Sequence, residues 1–233
     1  MTRLLFPAPL PVTLPIQGRG EEFPVSRIFC VGRNYVDHAR EMGSEVDRQA
    51  PFYFTKSPLH LVHSGASVPY PPGTQDLHHE MEFVVALGKG GFRVDVDQAT
   101  DLVLGYAAGL DMTRRDLQAH AKERRRPWDT GKDFENAAVV GPITPRTEFG
   151  RIGPQGIRLW VNDRLAQSAR LDDMVWSVPE LIAHLSTLYH LRPGDLIMTG
   201  TPAGVGPVGE GDRLHGEIDG LAPVDLTIGA AAT

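Results

Sequence analysis

Hydrophobic runs and turn residues alternate at short spacing along the chain, which predicts many short strands and few helices. The runs RIFCVG, PFYFTKS and DLVLGYAAGL are apolar or aromatic without interruption, a pattern typical of buried strands. IRLWVNDRLAQSAR predicts a hairpin with its turn at NDR, and the chain from Arg192 onward alternates short strands with glycine turns. The pattern therefore favours a mixed α+β fold with a rolled or barrel-like sheet.

Three segments predict helices instead. SVPELIAHLSTLYHL has the clearest amphipathic period, and TRRDLQAHAKERRR predicts a second helix. NYVDHAREMG predicts one short helix, with Asn34 as its N-cap and Gly43 at its end. These helices are short beside the number of predicted strands, so we expect the sheet to form the core.

The chain divides on this pattern into a short arm and one domain. Residues 1–24 are rich in proline and predict an extended arm or edge strands. Residues 25–233 contain no internal repeat and no long linker. A chain of 233 residues is long enough for one large domain with such an appendage.

Composition restricts the possible partners and the compartment. Apolar residues make up 41% of the chain and the net charge is −6, so nucleic acid and anionic membranes are not expected partners. The one basic cluster, Lys122 to Pro127, predicts a solvated helix end. No stretch approaches the roughly 20 apolar residues of a membrane span. Cys30 is the only cysteine and predicts a small buried side chain. With no signal-peptide pattern, a cytoplasmic location is expected.

Two acids stand at the entry to a predicted strand. In LHHEMEFVVAL, Glu80 and Glu82 are two positions apart, so strand alternation places them on one face. Two such carboxylates can share a proton, be neutralised by cationic side chains, or hold a hard divalent cation such as Mg²⁺ or Mn²⁺. The alternative, which the pair taken alone favours, is a solvent-exposed strand end with two independent acids.

Further residues near this pair bear on the choice. Asp111 follows the apolar run GYAAGL and either completes an oxygen-rich metal site or caps a helix. His78 and His79 precede Glu80, but the remaining histidines lack the spacing of a zinc site. Alternation places His78 on the face of Glu80 and His79 on the other, and we interpret both as structural.

A possible acid–base pair lies on the predicted short helix. His38 and Glu41 are three residues apart and share a helix face, where a carboxylate can orient an imidazole that deprotonates water. A surface pair is the alternative. Lys132, in TGKDF, can stabilise developing negative charge or remain solvated. TGTPAGVG lacks the ending of a phosphate-binding loop, but its backbone N–H groups suit a carboxylate as well as a plain turn.

Five motifs occur in a fixed order: CVGRNYVDHAREMG, LHHEMEF, GLDMTRRDLQ, GKDF and IMTGTPAGVG. Together they resemble the fumarylacetoacetate hydrolase family over nearly the whole chain, and within that family the bacterial fumarylpyruvate hydrolases. The sequences FTKSP and KDFEN depart from the usual family pattern. Residues 25–233 would then be the catalytic domain.

The resemblance implies a rolled β-structure with short helices that is usually a homodimer. It implies one Mg²⁺ or Mn²⁺ per subunit, held by Glu80, Glu82 and Asp111. The positions that match His38 and Glu41 activate water in the family. The positions that contact substrate or lie close to it match Arg33, Arg115, Gln118, Lys132 and Thr201 here.

The expected reaction is hydrolysis of the C3–C4 bond of a 2,4-dioxo acid, an acylpyruvate. Water deprotonated by the pair of His38 and Glu41 attacks the 4-carbonyl, Lys132 assists, and the metal's Lewis acidity makes the enolate of pyruvate a feasible leaving group. Fumarylpyruvate, from the catabolism of aromatic compounds, is the best single substrate. The alternatives are decarboxylation of oxaloacetate, an isomerase or hydratase reaction on a related 2-oxo acid, and a non-catalytic binding protein.

Overall fold

Short β-strands dominate the computed structural model, which describes residues 4–41, 43 and 48–231. The strands in this part of the chain are β1 Thr13–Pro15, β2 Glu22–Pro24, β3 Arg27–Gly32, β4 Phe52–Lys56, β5 Leu61–His63, β6 Ala66–Pro69, β7 Leu77–His79, β8 Met81–Leu87, β9 Val103–Asp111, β10 Thr113–Arg114, β11 Ala138–Val140, β12 Thr144–Pro145, β13 Gly156–Val161, β14 Arg164–Arg170, β15 Asp195–Met198, β16 Gly206–Val208, β17 Arg213–Ile218 and β18 Val224–Gly229.

The helices between these strands are short. The α-helices are α1 Val36–Glu41, α2 Val96–Ala99, α3 Arg115–Glu123, α4 Asp129–Lys132, α5 Arg146–Phe149 and α6 Val178–Leu188. Single 3₁₀ turns cover Pro58–His60, Thr100–Leu102 and Leu171–Asp173. Every helix in the described part of the chain is too short or too polar to cross a membrane.

Two curled sheets organise the strands. The larger has eight strands in the order β4-β3-β15-β8-β9-β11-β5, with β12 paired to β9. The smaller has five, in the order β14-β13-β17-β18-β6, and its β13–β14 hairpin is the one predicted from the sequence. A three-stranded sheet, β10-β7-β16, lies at the entry to β8. The predicted α+β class with a rolled sheet is confirmed.

The central strands of the eight-stranded sheet, β3, β15, β8, β9 and β11, are buried on both faces, which explains their uninterrupted apolar runs. Along β3, Phe29 and Val31 belong to one hydrophobic cluster, whereas Ile28 and Cys30 belong to a second. The smaller sheet and α6 contribute to the first cluster. The buried position predicted for Cys30 is confirmed, and burial raises the pKa of its thiol.

The N-terminal segment contributes to the second cluster. β1 and β2 pair with each other, and their central residues, Leu14 and Phe23, are buried in the same cluster as Cys30. The interpretation of edge strands therefore fits residues 13–24. The division of the chain at residue 24 stays a prediction.

The start of α1 differs from the sequence prediction. Asn34 does not cap the helix, which begins at Val36. Its buried amide nitrogen instead donates hydrogen bonds to the carbonyls of Trp176 (3.0 Å) and Thr199 (2.9 Å), and its oxygen accepts one from the backbone N–H of Trp176 (2.7 Å). Asn34 thus fixes the start of α1 to the loop before α6 and to the end of β15. Gly43 has a φ of +65°, which fits its predicted place beyond the helix end.

We expect Leu159→Ala to lower the free energy of unfolding by about 2–5 kcal/mol, because Leu159 is fully buried in the first cluster and its truncation leaves a cavity. Leu165 belongs to the other strand of the same hairpin and is 51% exposed. Leu165→Ala should therefore change the free energy of unfolding by no more than about 0.5 kcal/mol. Urea unfolding followed by circular dichroism measures both values, and equal losses would contradict this packing.

Candidate functional site

Three carboxylates meet where the strands β7, β8 and β9 end. Glu80 lies between β7 and β8, Glu82 is the second residue of β8, and Asp111 is the last residue of β9. All three are buried, and one oxygen from each lies within 4.8 Å of the other two. The expected shared face of Glu80 and Glu82 is present. Asp111 does not cap a helix, since α3 begins at Arg115.

Buried cations compensate two of these carboxylates. Lys132 Nζ donates to Glu80 Oε2 at 2.7 Å and to Asp111 Oδ2 at 2.8 Å. Arg115 Nη2 donates to Glu80 Oε1 at 2.5 Å, and Lys56 Nζ lies 2.8 Å from Asp111 Oδ1. Burial alone would raise the pKa of Glu80, but Lys132 and Arg115 hold it below its ordinary value. Glu80 and Asp111 are therefore each held by two cations.

Glu82 lacks such compensation. Its Oε2 accepts a hydrogen bond from the backbone N–H of Gly200 at 2.8 Å, and none of the described residues forms an ion pair with it. Burial, together with Asp111 and Glu80, raises the pKa of Glu82 well above its ordinary value. A hard divalent cation among the three oxygens would supply the missing charge, so the set fits Mg²⁺ or Mn²⁺.

The sequence analysis missed Lys56. Its side chain is completely buried and donates hydrogen bonds to the carbonyls of Met112 (3.1 Å) and Lys132, in addition to its ion pair with Asp111. The signal was available, because PFYFTKS places a lysine inside an aromatic strand. Lys56 of β4 lies opposite Ile28 of the buried strand β3. A buried ammonium group requires a nearby acid to compensate its charge.

The two histidines before Glu80 lie on opposite faces, as predicted. The side chain of His78 lies 2.9 Å from Asp76 and accepts a long hydrogen bond of 3.4 Å from Arg115, on the side of Glu80. His79 is buried with its Nδ1 3.1 Å from Gln167 Oε1. Neither histidine belongs to the cluster of possible metal ligands.

The side chains of His38 and Glu41 meet at the end of α1. His38 Nδ1 lies 3.3 Å from Glu41 Oε2, and His38 is 6% exposed. Burial lowers the pKa of His38, although Glu80 and Glu41 favour its protonated form. The neutral imidazole can accept a proton, and Glu41 can orient the ring.

The glycine loop holds two of the protein's own carboxylates. The backbone N–H of Gly200 binds Glu82, and that of Gly204 binds Glu41 at 3.1 and 3.2 Å. Gly200 has a φ of +96°, and a Cβ at this position would lie 2.8 Å from the Cβ of Asn34. The loop does suit carboxylates, but in these two contacts they come from the protein itself.

Gln167 connects this loop to β8 and was also missed. Its Nε2 donates to Thr201 Oγ1 and to the carbonyl of Pro202, both at 2.8 Å. Its Oε1 accepts the backbone N–H of Met81 at 2.9 Å. Gln167 lies on the outer hairpin of the second sheet, so nothing in the local sequence links it to the site.

One cleft brings most of the predicted site residues together. It is lined by Arg33, His38, Glu80, Glu82, Arg115, Gln118, Lys132 and Thr201. Asp111 and Glu41 adjoin it through Lys132 and His38. The lining is completed by Val31, Gly32, Phe52, Phe54, Lys122 and Trp128.

The interpretation of the basic cluster from Lys122 to Pro127 as a solvated helix end is wrong for Lys122. The arginines from 124 to 126 are exposed, as expected, but Lys122 is half-buried and lines the cleft. Its Nζ lies 5.0 Å from the ring centre of Trp128. Burial, together with Arg115 and Arg33, lowers the pKa of Lys122 to about 8.

Comparison with known proteins places the chain in a family. Residues 27–229 match the family described as fumarylacetoacetate (FAA) hydrolase, C-terminal. The chain is 55% identical over 193 residues to a fumarylpyruvate hydrolase of Ralstonia sp, covering 82% of this chain and all of the relative. It is 41% identical over 203 residues to a mitochondrial oxaloacetate tautomerase of Mus musculus, covering 86% of this chain and 90% of the relative.

A solved structure gives a similar result. The fumarylpyruvate hydrolase of Pseudomonas aeruginosa, crystallised with Mn²⁺ and pyruvate, superposes with a TM-score of 0.94 at 44% identity. The match covers 98% of this chain and all of that one. On the family match along most of its length and on these relatives, the chain belongs to the fumarylacetoacetate hydrolase family.

Proposed function

We propose that this protein hydrolyses the C3–C4 bond of a 2,4-dioxo acid, with fumarylpyruvate as substrate and fumarate and pyruvate as products. The observation that carries the proposal is one cleft that joins a buried acidic triad to a neutral, buried histidine with a carboxylate partner. The names of the Ralstonia and Pseudomonas relatives support the choice of substrate.

The proposal includes one Mg²⁺ or Mn²⁺ per subunit, held by Glu80, Glu82 and Asp111. Three carboxylate oxygens within 4.8 Å of one another, one of them without a cationic side chain beside it, support this ligand set. The Pseudomonas relative with Mn²⁺ and pyruvate supports the metal. A bound divalent cation would polarise the oxygens of the 2-oxo acid and stabilise the negative charge of the enolate.

The side chains of the cleft have separate roles in this reaction. His38 takes a proton from water, and the resulting hydroxide attacks the 4-carbonyl carbon. The C3–C4 bond breaks, its electron pair stays on pyruvate as the enolate, and the acyl group leaves as a carboxylic acid. A proton returned to C3 completes pyruvate, so one water is consumed. Lys132 stabilises the developing negative charge.

The remaining residues of the cleft would position the substrate. Arg115 is bound to Gln118 at 2.6 Å and to Glu80, so a substrate meets these two side chains as one rigid unit. Arg33 and Thr201 are the other proposed contacts. The homodimer and the role in aromatic catabolism, which follow from the family resemblance, belong to the same proposal. So does the cytoplasmic location that the sequence leads us to expect.

Oxaloacetate is the second candidate substrate, because several relatives are named oxaloacetate tautomerases. Chemistry on oxaloacetate through its enolate needs no attacking water. Purified protein with Mg²⁺ should therefore be assayed against fumarylpyruvate, acetylpyruvate and oxaloacetate. Turnover of oxaloacetate alone would replace the hydrolase proposal.

We expect Glu82→Gln to melt at a higher temperature than wild type in EDTA at pH 7, by at least about 2 °C, the shift that about 1 kcal/mol produces in a chain of this size. The folded-state pKa of Glu82 is raised, so its contribution to stability falls as the pH rises from the ordinary carboxyl range toward that pKa. Glutamine has no such cost and keeps an acceptor for Gly200.

Saturating Mn²⁺ should reverse this order, because the cation stabilises the wild type by binding to the folded state and the variant offers it a weaker ligand set. Thermal unfolding with and without Mn²⁺ measures the effect. Glu123→Gln, at an exposed position near the end of α3, is the matched control and should follow the wild type. An equal response of wild type and Glu82→Gln to Mn²⁺ would remove Glu82 from the ligand set.

His38→Ala should lower kcat for fumarylpyruvate by about 10²–10⁴-fold, the usual contribution of a general base, and leave Mn²⁺ affinity nearly unchanged. Decarboxylation of oxaloacetate, where present, should fall less because it requires no attacking water. Steady-state kinetics and calorimetry measure these effects, with the exposed His120→Ala as control. Unchanged hydrolysis in His38→Ala would leave the proposed mechanism without its base.

A further inference from the structure

Two cations of the cleft have no acidic partner among the described residues. Arg115 and Lys132 are bound to Glu80 at 2.5 and 2.7 Å, so their charges are already compensated. Arg33 and Lys122 line the same cleft, and in the part of the chain that the structure describes neither side chain forms an ion pair or a hydrogen bond. Both are half-buried, and their donors remain available to a ligand.

Each of these two cations lies against one ring of an aromatic pair, Phe52 and Trp128. The guanidinium carbon of Arg33 lies 5.4 Å from the ring centre of Phe52, and Lys122 Nζ lies 5.0 Å from that of Trp128. The two rings meet edge to face, with 5.4 Å between their centres. Cation–π contacts orient a cation without neutralising it. The rings therefore place two positive charges beside one cleft and leave both charges open.

The backbone and the electrostatics both show that this arrangement has a cost. Arg33 has a φ of +58°, a left-handed conformation that is uncommon for a residue other than glycine. Lys122 is close enough to Arg33 and Arg115 for their charges to oppose its protonation. Strained backbone and shifted pKa values are each enriched at functional sites.

We propose that Arg33 and Lys122 form a second anion site in the cleft, which binds the carboxylate on the acyl end of a dicarboxylic substrate. This rests on the proposed function, in which the acidic triad and its cation take the 2-oxo acid end. Lys56, Lys132 and Arg115 offset the three carboxylates of the triad in net charge, although they contact only Glu80 and Asp111. The two open cations and a divalent metal leave the cleft positive, as a substrate with two carboxylates requires.

The charge balance separates this substrate class from simpler acylpyruvates. Acetylpyruvate ends in a methyl group on its 4-carbonyl, where fumarylpyruvate continues through a CH=CH unit to a second carboxylate. A methyl group would leave Arg33 and Lys122 unpaired, whereas a carboxylate forms charge-assisted hydrogen bonds with both. Phe52 and Trp128 would pack against the flat carbon chain between the two ends. Lys122 is therefore a specificity-determining residue for dicarboxylic substrates.

Steady-state kinetics of Lys122→Met with the two substrates test the site. We expect kcat/KM for fumarylpyruvate to fall by about 10- to 100-fold, mainly through KM, since a hydrogen bond to a charged group has this magnitude. For acetylpyruvate kcat/KM should change by less than about threefold. Lys122→Arg should restore most of the loss. Arg124→Met, at an exposed position just beyond α3, should leave both substrates unaffected.

A binding measurement makes the test independent of turnover. Fumarate and crotonate differ only in a carboxylate that crotonate replaces with a methyl group. Calorimetry on the Mn²⁺-loaded protein should show fumarate binding at least about tenfold more tightly to wild type, and this preference should disappear in Lys122→Met.

The outcomes separate the two proposals. Equal losses for both substrates in Lys122→Met, or no loss for fumarylpyruvate, would overturn the anion site while hydrolysis by the wild type upholds the function. No preference for fumarate in the wild type would overturn the site as well. A fumarate preference that depends on Lys122, in a protein that hydrolyses neither substrate, would support the site and overturn the hydrolase function.

Discussion

The burial of three carboxylates at the strand ends determines how the surrounding elements have to be arranged. An isolated buried carboxylate is so costly that it requires a partner. The cations that meet Glu80 and Asp111 come from three separate elements: Lys56 from β4, Arg115 from α3 and Lys132 from α4. Folding therefore has to bring these elements onto the ends of β8 and β9. The same network leaves one carboxylate, that of Glu82, without a cationic side chain in contact among the described residues.

The glycine loop links the two halves of the chemistry. Gly200 binds Glu82 of the acidic triad, and Gly204 binds Glu41, the partner of His38. The distance between the proposed metal ligands and the proposed base is therefore set by one short stretch of backbone. Asn34 fixes this arrangement from the other side, because it ties the start of α1 to the carbonyl of Thr199, next to the loop. A shift of the loop would move both parts of the site together.

The sequence predicted what depends on local period and order. Alternation placed Glu80 and Glu82 on one face, and the end of an apolar run located Asp111. The errors depend on contacts between distant parts of the chain. Asn34 has the composition of a helix cap, yet its partners lie more than 140 residues away. Lys122 belongs to a basic run whose other members are solvated, and only the fold turns its side chain into the cleft. No local pattern distinguishes such residues from their neighbours.

The compensated cations Arg115 and Lys132 and the open cation Lys122 lie in different parts of the sequence. Arg115 and Lys132 lie in the ordered motifs and hold the protein's own carboxylates, so replacing them disturbs the triad itself. Arg33, the other open cation, lies inside the first motif, whereas Lys122 and Trp128 lie outside the motifs and contact none of the triad's oxygens. On the proposed anion site, a change at Lys122 or Trp128 would alter substrate choice while the acidic triad and the pair of His38 and Glu41 stay intact. The similarity of this chain to both fumarylpyruvate hydrolases and oxaloacetate tautomerases is consistent with that separation.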